Sequence, residues 1–437
     1  MARAGLGWTL GGILTTLCAG LPVTGCSDGT ANMADAVTYH QHTAALFDRH
    51  CTTCHRDGGI APFALTSYDD VQRYAPQIRS AVADGRMPPW MPADDSAPLR
   101  FSRRVPADQR DLFLRWADGG AQAGDPTQPS LVTVTPAETV VPARPDLTLD
   151  PGTNYAPNRA ATDDYHCFVF DPKLTADTFL LASDVKPGNE RIVHHVLAFE
   201  VAAADVPAIQ AKNVGGAGYT CFGGPGTPKN SRPVTLLGWV PGSPGMRMPE
   251  GTAMRLHAGS LIVMQVHYNT ASVPADQTDR TRITVELSSQ PPTREVRAIP
   301  LAQPSALNIK AGDPAAKQAV LAPMSILASM LGLPGSNYVL YGTSMHMHLL
   351  GKSTSMLVSG KPLVNIPRWD FHWQQGYQLI TPMNLTGSDV LILQCEWDNS
   401  AANQPVIGGQ KQVPRDVTWG EGTLDEMCLS FSLIGPQ

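Results

Sequence analysis

The sequence predicts a multidomain chain: one small all-α unit followed by two all-β sandwiches of jelly-roll type. Three observations carry this. The chain has 437 residues, enough for two to four domains at roughly 100–200 residues each. Glycine (39) and proline (38) are abundant while helix-forming charge pairs are scarce, which favours β-rich domains with many turns. Helix-like stretches are confined to residues 37–125. After residue 146, short extended runs alternate with turn clusters such as Gly223-Gly224-Pro225-Gly226 and Pro241-Gly242-Ser243-Pro244-Gly245, the pattern of sandwiches and jelly rolls. A net charge of −6 without a basic block gives no basis for nucleic-acid binding.

The N-terminus has the form of an export signal over residues 1–25: Arg3 supplies the positive start and residues 6–22 a short apolar region. Val23-Thr24-Gly25-Cys26 resembles a bacterial lipobox, which implies a lipidated Cys26 and a tether over residues 26–36. Ser27 in place of aspartate then implies the outer membrane, for an exported lipoprotein facing the periplasm. No later apolar run is long enough to span a bilayer.

The eight cysteines divide without remainder. Cys18 leaves with the signal and Cys26 takes lipid. Cys51 and Cys54 share one motif, and Cys167, Cys221, Cys395 and Cys428 remain. In an exported chain four remaining cysteines suggest two disulfides, and spacing alone leaves their pairing open.

In the unit at residues 37–125, His50-Cys51-Thr52-Thr53-Cys54-His55 is a c-type haem attachment motif. The two thiols would form thioethers, and His55 would be the proximal iron ligand. A redox CxxC or half a zinc site is the alternative. The following histidine, the export signal and the lack of a second CxxC argue against it. Residues 39–49, 69–84 and 108–118 read as helices, with Asp108 a plausible cap. In Gly85-Arg86-Met87-Pro88-Pro89-Trp90-Met91-Pro92, a methionine thioether would complete the iron coordination and raise its potential. Met87 is the first choice and Met91 the second. The whole segment, with Gly58-Gly59-Ile60-Ala61-Pro62-Phe63, resembles a small bacterial cytochrome c domain, which implies one covalently attached c-type haem and an electron-carrying role.

Residues 126–146 read as a semi-extended linker. Beyond it, residues 179–183, 191–201, 260–269, 282–287, 338–345 and 389–397 look extended. Gln290-Pro291-Pro292 interrupts, giving one sandwich over 147–290 and another over 291–437.

Four sites lie in order along these sandwiches. His194 and His195 are adjacent, so on a regular strand they would face opposite ways and could share a metal only at a bulge or strand end. His267 follows in an alternating strand, on the face of Gln265. His346-Met347-His348 puts two imidazoles on one face of a strand. Leu424-Asp425-Glu426-Met427-Cys428 comes near the end.

This ordered set resembles the type II copper, ascorbate-dependent monooxygenases, the family of peptidylglycine α-hydroxylating and dopamine β-monooxygenases. The resemblance covers residues 147–437, including Gly351-Lys352 and Asp-Glu-Met-Cys. It implies two copper ions: one held by His194, His195 and His267 that stores an electron, and one held by His346, His348 and Met427 that activates O2. Thioether suits Cu(I). The resemblance also implies disulfides Cys167–Cys221 and Cys395–Cys428, and a solvent-filled gap between the copper sites. His40, His42, His166, His257 and His372 match no ligand position and read as packing or surface residues.

The chain departs from the peptide-processing member, in which an arginine two residues before the HxH pair, and an asparagine and a tyrosine after the ligand methionine, help bind substrate. Here Ser344, Leu429 and Phe431 stand at those positions. The expectation is therefore hydroxylation of a C–H bond in a small apolar or amphipathic molecule. Electrons would come from ascorbate or a periplasmic redox protein, one at a time, through the fused haem. The alternative is a non-enzymatic periplasmic copper and haem protein, either a carrier or a store.

Overall fold

A computed structural model describes residues 36–437 except 137, 161–162, 271–273, 408 and 421. The export signal, Cys26 and almost all of the tether lie outside the described residues. The body from Val37 to Gln437 is one compact unit and is mostly β-sheet. Among the described residues no helix is long and apolar enough to cross a membrane.

The helices precede the sheets. A π-turn at Tyr39–Thr43 leads into the helix Ala44–His50. The single helix expected over 69–84 is two, Tyr68–Arg73 and Ala75–Ala83. Ser67 starts the first with a capping box: its Oγ accepts from Asp70 N, and the Asp70 carboxylate accepts from Ser67 N. Pro76 lacks the N–H that would bond back across the junction, and the chain restarts its helix there. A fourth helix spans Ala107–Asp118 with Pro106 at its N-cap and Asp108 in its first turn, so Asp108 complements the helix dipole rather than capping. Leu46, Phe47, Phe113 and Trp116 form the buried centre of this unit, with Phe47 edge-on to both Phe113 and Trp116.

Residues 93–100 leave this helical unit and lie on the second sandwich. Ala93 N and Ala97 N donate to Asn365 O and Leu363 O, Arg100 N donates to Gln378 O, and Leu99 bridges Leu379. Leu99 joins the second sandwich's core, and Trp90 and Met91 pack on its edge. The linker is likewise fastened: Leu131 N donates to Gln41 O, and Val140 is buried.

Strands fall where the alternation placed them, among them Thr178–Lys186, Val193–Val201, Leu261–Asn269, Arg282–Ser288, Asn337–His346 and Val390–Trp397. In the first sandwich one sheet runs Tyr219–Thr220, Asp163–Phe170, Leu261–Asn269, Val193–Val201, Val234–Trp239. Its apolar face packs against the sheet centred on Thr178–Lys186 and Arg282–Ser288. In the second, Arg297–Ala302, Leu429–Pro436, Asn337–His346 and Gly376–Thr386 form one sheet. Ala316–Pro323, Val390–Trp397, Gly351–Val358 and Lys361–Ile366 form the other.

The sandwiches share buried surface. Val339 and Tyr341 of the second, with Ala298 and Leu433 at the margin, pack into the core of the first. Alternation sends the intervening Tyr338 and Leu340 into the second core instead. The Asn337–His346 strand is thus buried on both faces, and this apolar seam fixes the two units against each other.

Candidate metal centres

The first cluster forms because a bulge breaks one strand. Val193 pairs with Tyr268 and His195 with His267, so the partner strand offers nothing opposite His194. The extra residue turns both adjacent histidines to one side. His195 Nδ1 lies 3.3 Å from His194 Nδ1 and 3.3 Å from His267 Nδ1. Imidazole nitrogens sharing one ion at about 2.0–2.1 Å would stand about 3.3 Å apart at a tetrahedral angle. Asp163 Oδ1 accepts from His267 Nε2 at 2.8 Å, which fixes the tautomer and leaves the His267 Nδ1 lone pair facing the cluster. Tyr165 stacks on the His267 ring at 4.1 Å. The buried Nε2 of His194 has no hydrogen-bond partner among the described residues. Burial pushes His194 down to about 3 and His195 well below the usual imidazole range, and neighbouring imidazoles add to it. These two are therefore neutral near pH 7, the form that binds metal.

The second cluster closes across the end of the Asn337–His346 strand. His346 Nδ1 meets Gln374 Oε1, and His348 Nδ1 meets Asp425 O at 3.0 Å. Both oxygens only accept, so each Nδ1 carries the proton and each Nε2 presents a lone pair. Those two Nε2 atoms face each other at 3.0 Å. Burial holds both imidazoles below their ordinary pKa, His346 at about 3. Two buried lone pairs pointing at each other call for a cation between them.

Met427 joins this end of the sheet through its neighbours. The buried carboxylate of Glu426 accepts from His348 N, Leu350 N and Trp397 Nε1 at 2.7–2.8 Å, and from Met427 N at 3.3 Å. It clamps the turn after the histidines to the segment that carries Met427. Cys395–Cys428 closes the other side of Met427. Met427 itself is 4 % exposed. A side chain at Gly351 would meet Trp369 Cδ1 at 2.4 Å, and Trp369 Nε1 donates to His348 O; this close approach requires glycine.

One aromatic ring touches both clusters. Phe371 stacks on His194 at 5.6 Å and stands edge-on to His348 at 6.0 Å between centroids. His372 lies edge-on to His194 at 5.8 Å. Where the resemblance implied a solvent-filled gap, this structure places Phe371. Phe371 and Gln374 carry no metal-ligand chemistry of their own, and Asp163, though a possible ligand type, sits in no ligand motif, so no local sequence signal marks the three. Sequence reading recorded Glu426 only as part of a motif.

The disulfides pair as the resemblance implied, Cys167–Cys221 and Cys395–Cys428. Gln265 Nε2 donates to Gly224 O at 3.3 Å and lies 3.5 Å from Cys221 Sγ, so it supports the disulfide loop.

Cys51 and Cys54 are free thiols, both pushed up by burial, Cys51 to about 12. His55 Nδ1 donates to Phe63 O at 3.1 Å, which leaves its Nε2 free to ligate. These residues would suit a thioether-linked haem, with Cys51 and Cys54 as attachment points and His55 to ligate the iron. Met91 Sδ accepts from Asp370 N at 3.3 Å and packs on the second sandwich. Met87 follows the Ala75–Ala83 helix, its N–H bonded to Ala81 O.

Residues 314–433 match the family model described as Copper type II ascorbate-dependent monooxygenase, C-terminal domain. That span contains His346, His348, Met427 and the Cys395–Cys428 disulfide, and the match supports a copper monooxygenase. No curated protein matches the chain. Among solved structures, BuGH86 in complex with neoagarooctaose, in a substituted and a wild-type form, aligns at 10% identity over 67% of this chain, with TM-scores of 0.15 and 0.16. The alignment covers 34% of those chains, so this chain spans about a third of their length. The tandem CBM51 modules of Sp3GH98, the family 98 glycoside hydrolase from Streptococcus pneumoniae SP3-BS71, align at 6% identity over 66% of this chain and 80% of that one, with a TM-score of 0.14. At such scores the likenesses carry no argument.

Proposed function

We propose that this protein is a copper-dependent monooxygenase that hydroxylates a C–H bond of a small organic substrate. The observation that carries the reading is the pair of lone pairs facing each other on His346 and His348, within the span that matches the copper monooxygenase model. When bound, copper at His346, His348 and Met427 would supply O2 activation, copper at His194, His195 and His267 would store an electron, and haem at Cys51, Cys54 and His55 would deliver electrons singly.

The chain's own residues prepare this chemistry. Asp163, Gln374 and the Asp425 carbonyl hold protons on the outer imidazole nitrogens, so the inner ones stay available. The Phe371 ring occupies space between the clusters and excludes water there.

The surface beside the second cluster is apolar. Leu429 pairs directly opposite His346, and Phe431 opposite Ser344. These four residues share one face of the sheet by alternation, and none of them carries a cation for a substrate carboxylate. The substrate we propose is a small apolar or amphipathic molecule, not a glycine-extended peptide. Efficient turnover of such a peptide would refute this part.

We extend the proposal to the setting: an exported lipoprotein anchored through Cys26 on the periplasmic side, drawing electrons from ascorbate or a periplasmic redox protein.

The test is metal and haem stoichiometry on protein exported with haem maturation intact, followed by oxygen uptake with candidate substrates. Two coppers per covalent haem, falling to one in Met427→Ala or His267→Ala, together with substrate-dependent oxygen uptake, support the reading. Copper bound with no substrate-dependent uptake would leave a carrier or a store.

A further inference from the structure

Arg56 follows the CxxCH motif directly, and its guanidinium joins two units of the chain. Nη2 meets Glu190 Oε1 of the first sandwich at 2.6 Å. Nη1 donates to Thr53 O, between the two thiols. One side chain thus ties the haem-attachment turn to the loop that enters the Val193–Val201 strand. That loop is firmly held. Gly188 N and Asn189 N both donate to the buried Asp279 carboxylate at 2.9 Å, and Asn189 O accepts from Ile192 N and Val193 N. Glu190 stands four residues before His194, at most about 14 Å of fully extended chain, and the turn shortens that span.

Two further contacts from residues 37–125 land beside the same histidine. Arg103 Nη2 donates to Pro241 O at 3.5 Å. Trp239 pairs with Val196 in antiparallel register, so Pro241, two residues on, leaves the sheet at its His194 end. Asp370 N donates to Met91 Sδ at 3.3 Å, and the next residue, Phe371, stacks on the His194 ring. Contacts from three places in the cytochrome-like segment therefore converge on the first cluster. Only one of them pairs opposite charges, and it is the one adjoining the CxxCH motif.

We propose that Arg56 and Glu190 form the docking contact that commits electrons from a haem on the CxxCH motif to the cluster of His194, His195 and His267. The inference rests on the haem and copper reading above and assigns the entry point within it. One electron leaves ferrous haem, which becomes ferric, and reduces Cu(II) at that cluster to Cu(I). The external donor, ascorbate or a redox protein, then restores ferrous haem. Arg56 and Glu190 are positioning residues. Their ion pair is half-exposed, so it adds little stability; its role is to set how the two units meet.

The experiment is anaerobic flash photoreduction of the full-length, copper-loaded holoprotein. Haem is counted by pyridine haemochrome, copper by elemental analysis, and the haem potential is measured for each variant. A photogenerated one-electron reductant reduces the haem, whose absorbance then reports reoxidation as the electron moves to Cu(II). The wild type should show a first-order phase whose rate is independent of protein concentration, with the Cu(II) EPR signal falling in step. His267→Ala, which empties the first cluster, should abolish that phase. Glu190→Arg sets two cations face to face and should slow it about tenfold at unchanged haem and copper content. A phase that survives in His267→Ala, no phase in the fully loaded wild type, or a wild-type rate in Glu190→Arg overturns the proposal. So does a slowing that a shifted haem potential accounts for by itself. If Glu190→Arg fails to load haem or copper, the near-isosteric Glu190→Gln decides: its rate should fall about two- to fivefold, and an unchanged rate overturns the contact. Wild-type protein without covalent haem or without first-cluster copper is a separate result: it removes the reading of function, and the docking role with it.

Discussion

Glu426 accepts the backbone N–H of His348 at 2.8 Å, one residue before Met427. Side chain and amide come from distant parts of the chain, and this contact sets the second cluster at the sheet end. Glu426→Gln keeps the shape but turns one acceptor into a donor that faces N–H groups. We expect about 2–3 kcal/mol loss of stability, with copper lost from the second cluster and kept at the first. Denaturant titration and copper analysis check this, and an unchanged midpoint would remove Glu426 from that role.

The groups behind the imidazoles should act on one site each. Asp163→Asn weakens the His267 partner, and Gln374→Leu removes the His346 partner. Each should cost about 10–100-fold in copper affinity at its own cluster and leave the other unchanged. Competition with a chelator reads both, and equal losses at both sites would contradict independent clusters.

Phe371 should matter for coupling more than for binding. In Phe371→Ala both coppers should stay bound, because the ring donates no ligand. The fraction of consumed O2 that appears in product should fall, since water gains access between the clusters. Parallel oxygen-electrode and product measurements test this; retained coupling would make the ring mere packing.

Removing Cys395–Cys428 with a double serine variant should cost about 3–4 kcal/mol for a loop of this size. The second cluster should lose copper while the first holds. Loss from the first cluster alone would show that the disulfide does not position Met427.

Acid should destabilise the metal-free protein through its buried imidazoles. His194 and His346 titrate at about 3 in the folded chain, chiefly through burial, against about 6.5 when unfolded. The unfolded state therefore binds more protons between those values, and stability is lost as pH falls from 6.5 toward 3. The slope should reach about 1.4 kcal/mol per pH unit for each group. Urea midpoints across that range measure it, and His346→Gln should flatten the curve.

Much of the site was legible in the chain. His346-Met347-His348 follows an apolar, β-prone run, and period-two alternation alone puts both rings on one side. Cysteine arithmetic, with the N-terminus read as an export signal, called for two disulfides. The strands at 191–201 and 260–269 stood out because alternating β-branched and aromatic residues suit a buried sheet. The helix over 69–84 was read as unbroken because the weight of Pro76 depends on which carbonyls the preceding turn leaves unpaired.

The sequence by itself determined which residues could ligate, because imidazole, thioether and thiol are properties of single side chains and their spacing is covalent. Only the tertiary structure decided how they act together. The bulge that turns His194 beside His195 is a register mismatch between two strands, visible once Tyr268 and His267 have partners. The Phe371 ring between the clusters and the Glu426 clamp each join residues far apart in the chain. No local pattern encodes such contacts: they exist because the apolar seam through Val339 and Tyr341 fixes two sandwiches in one arrangement.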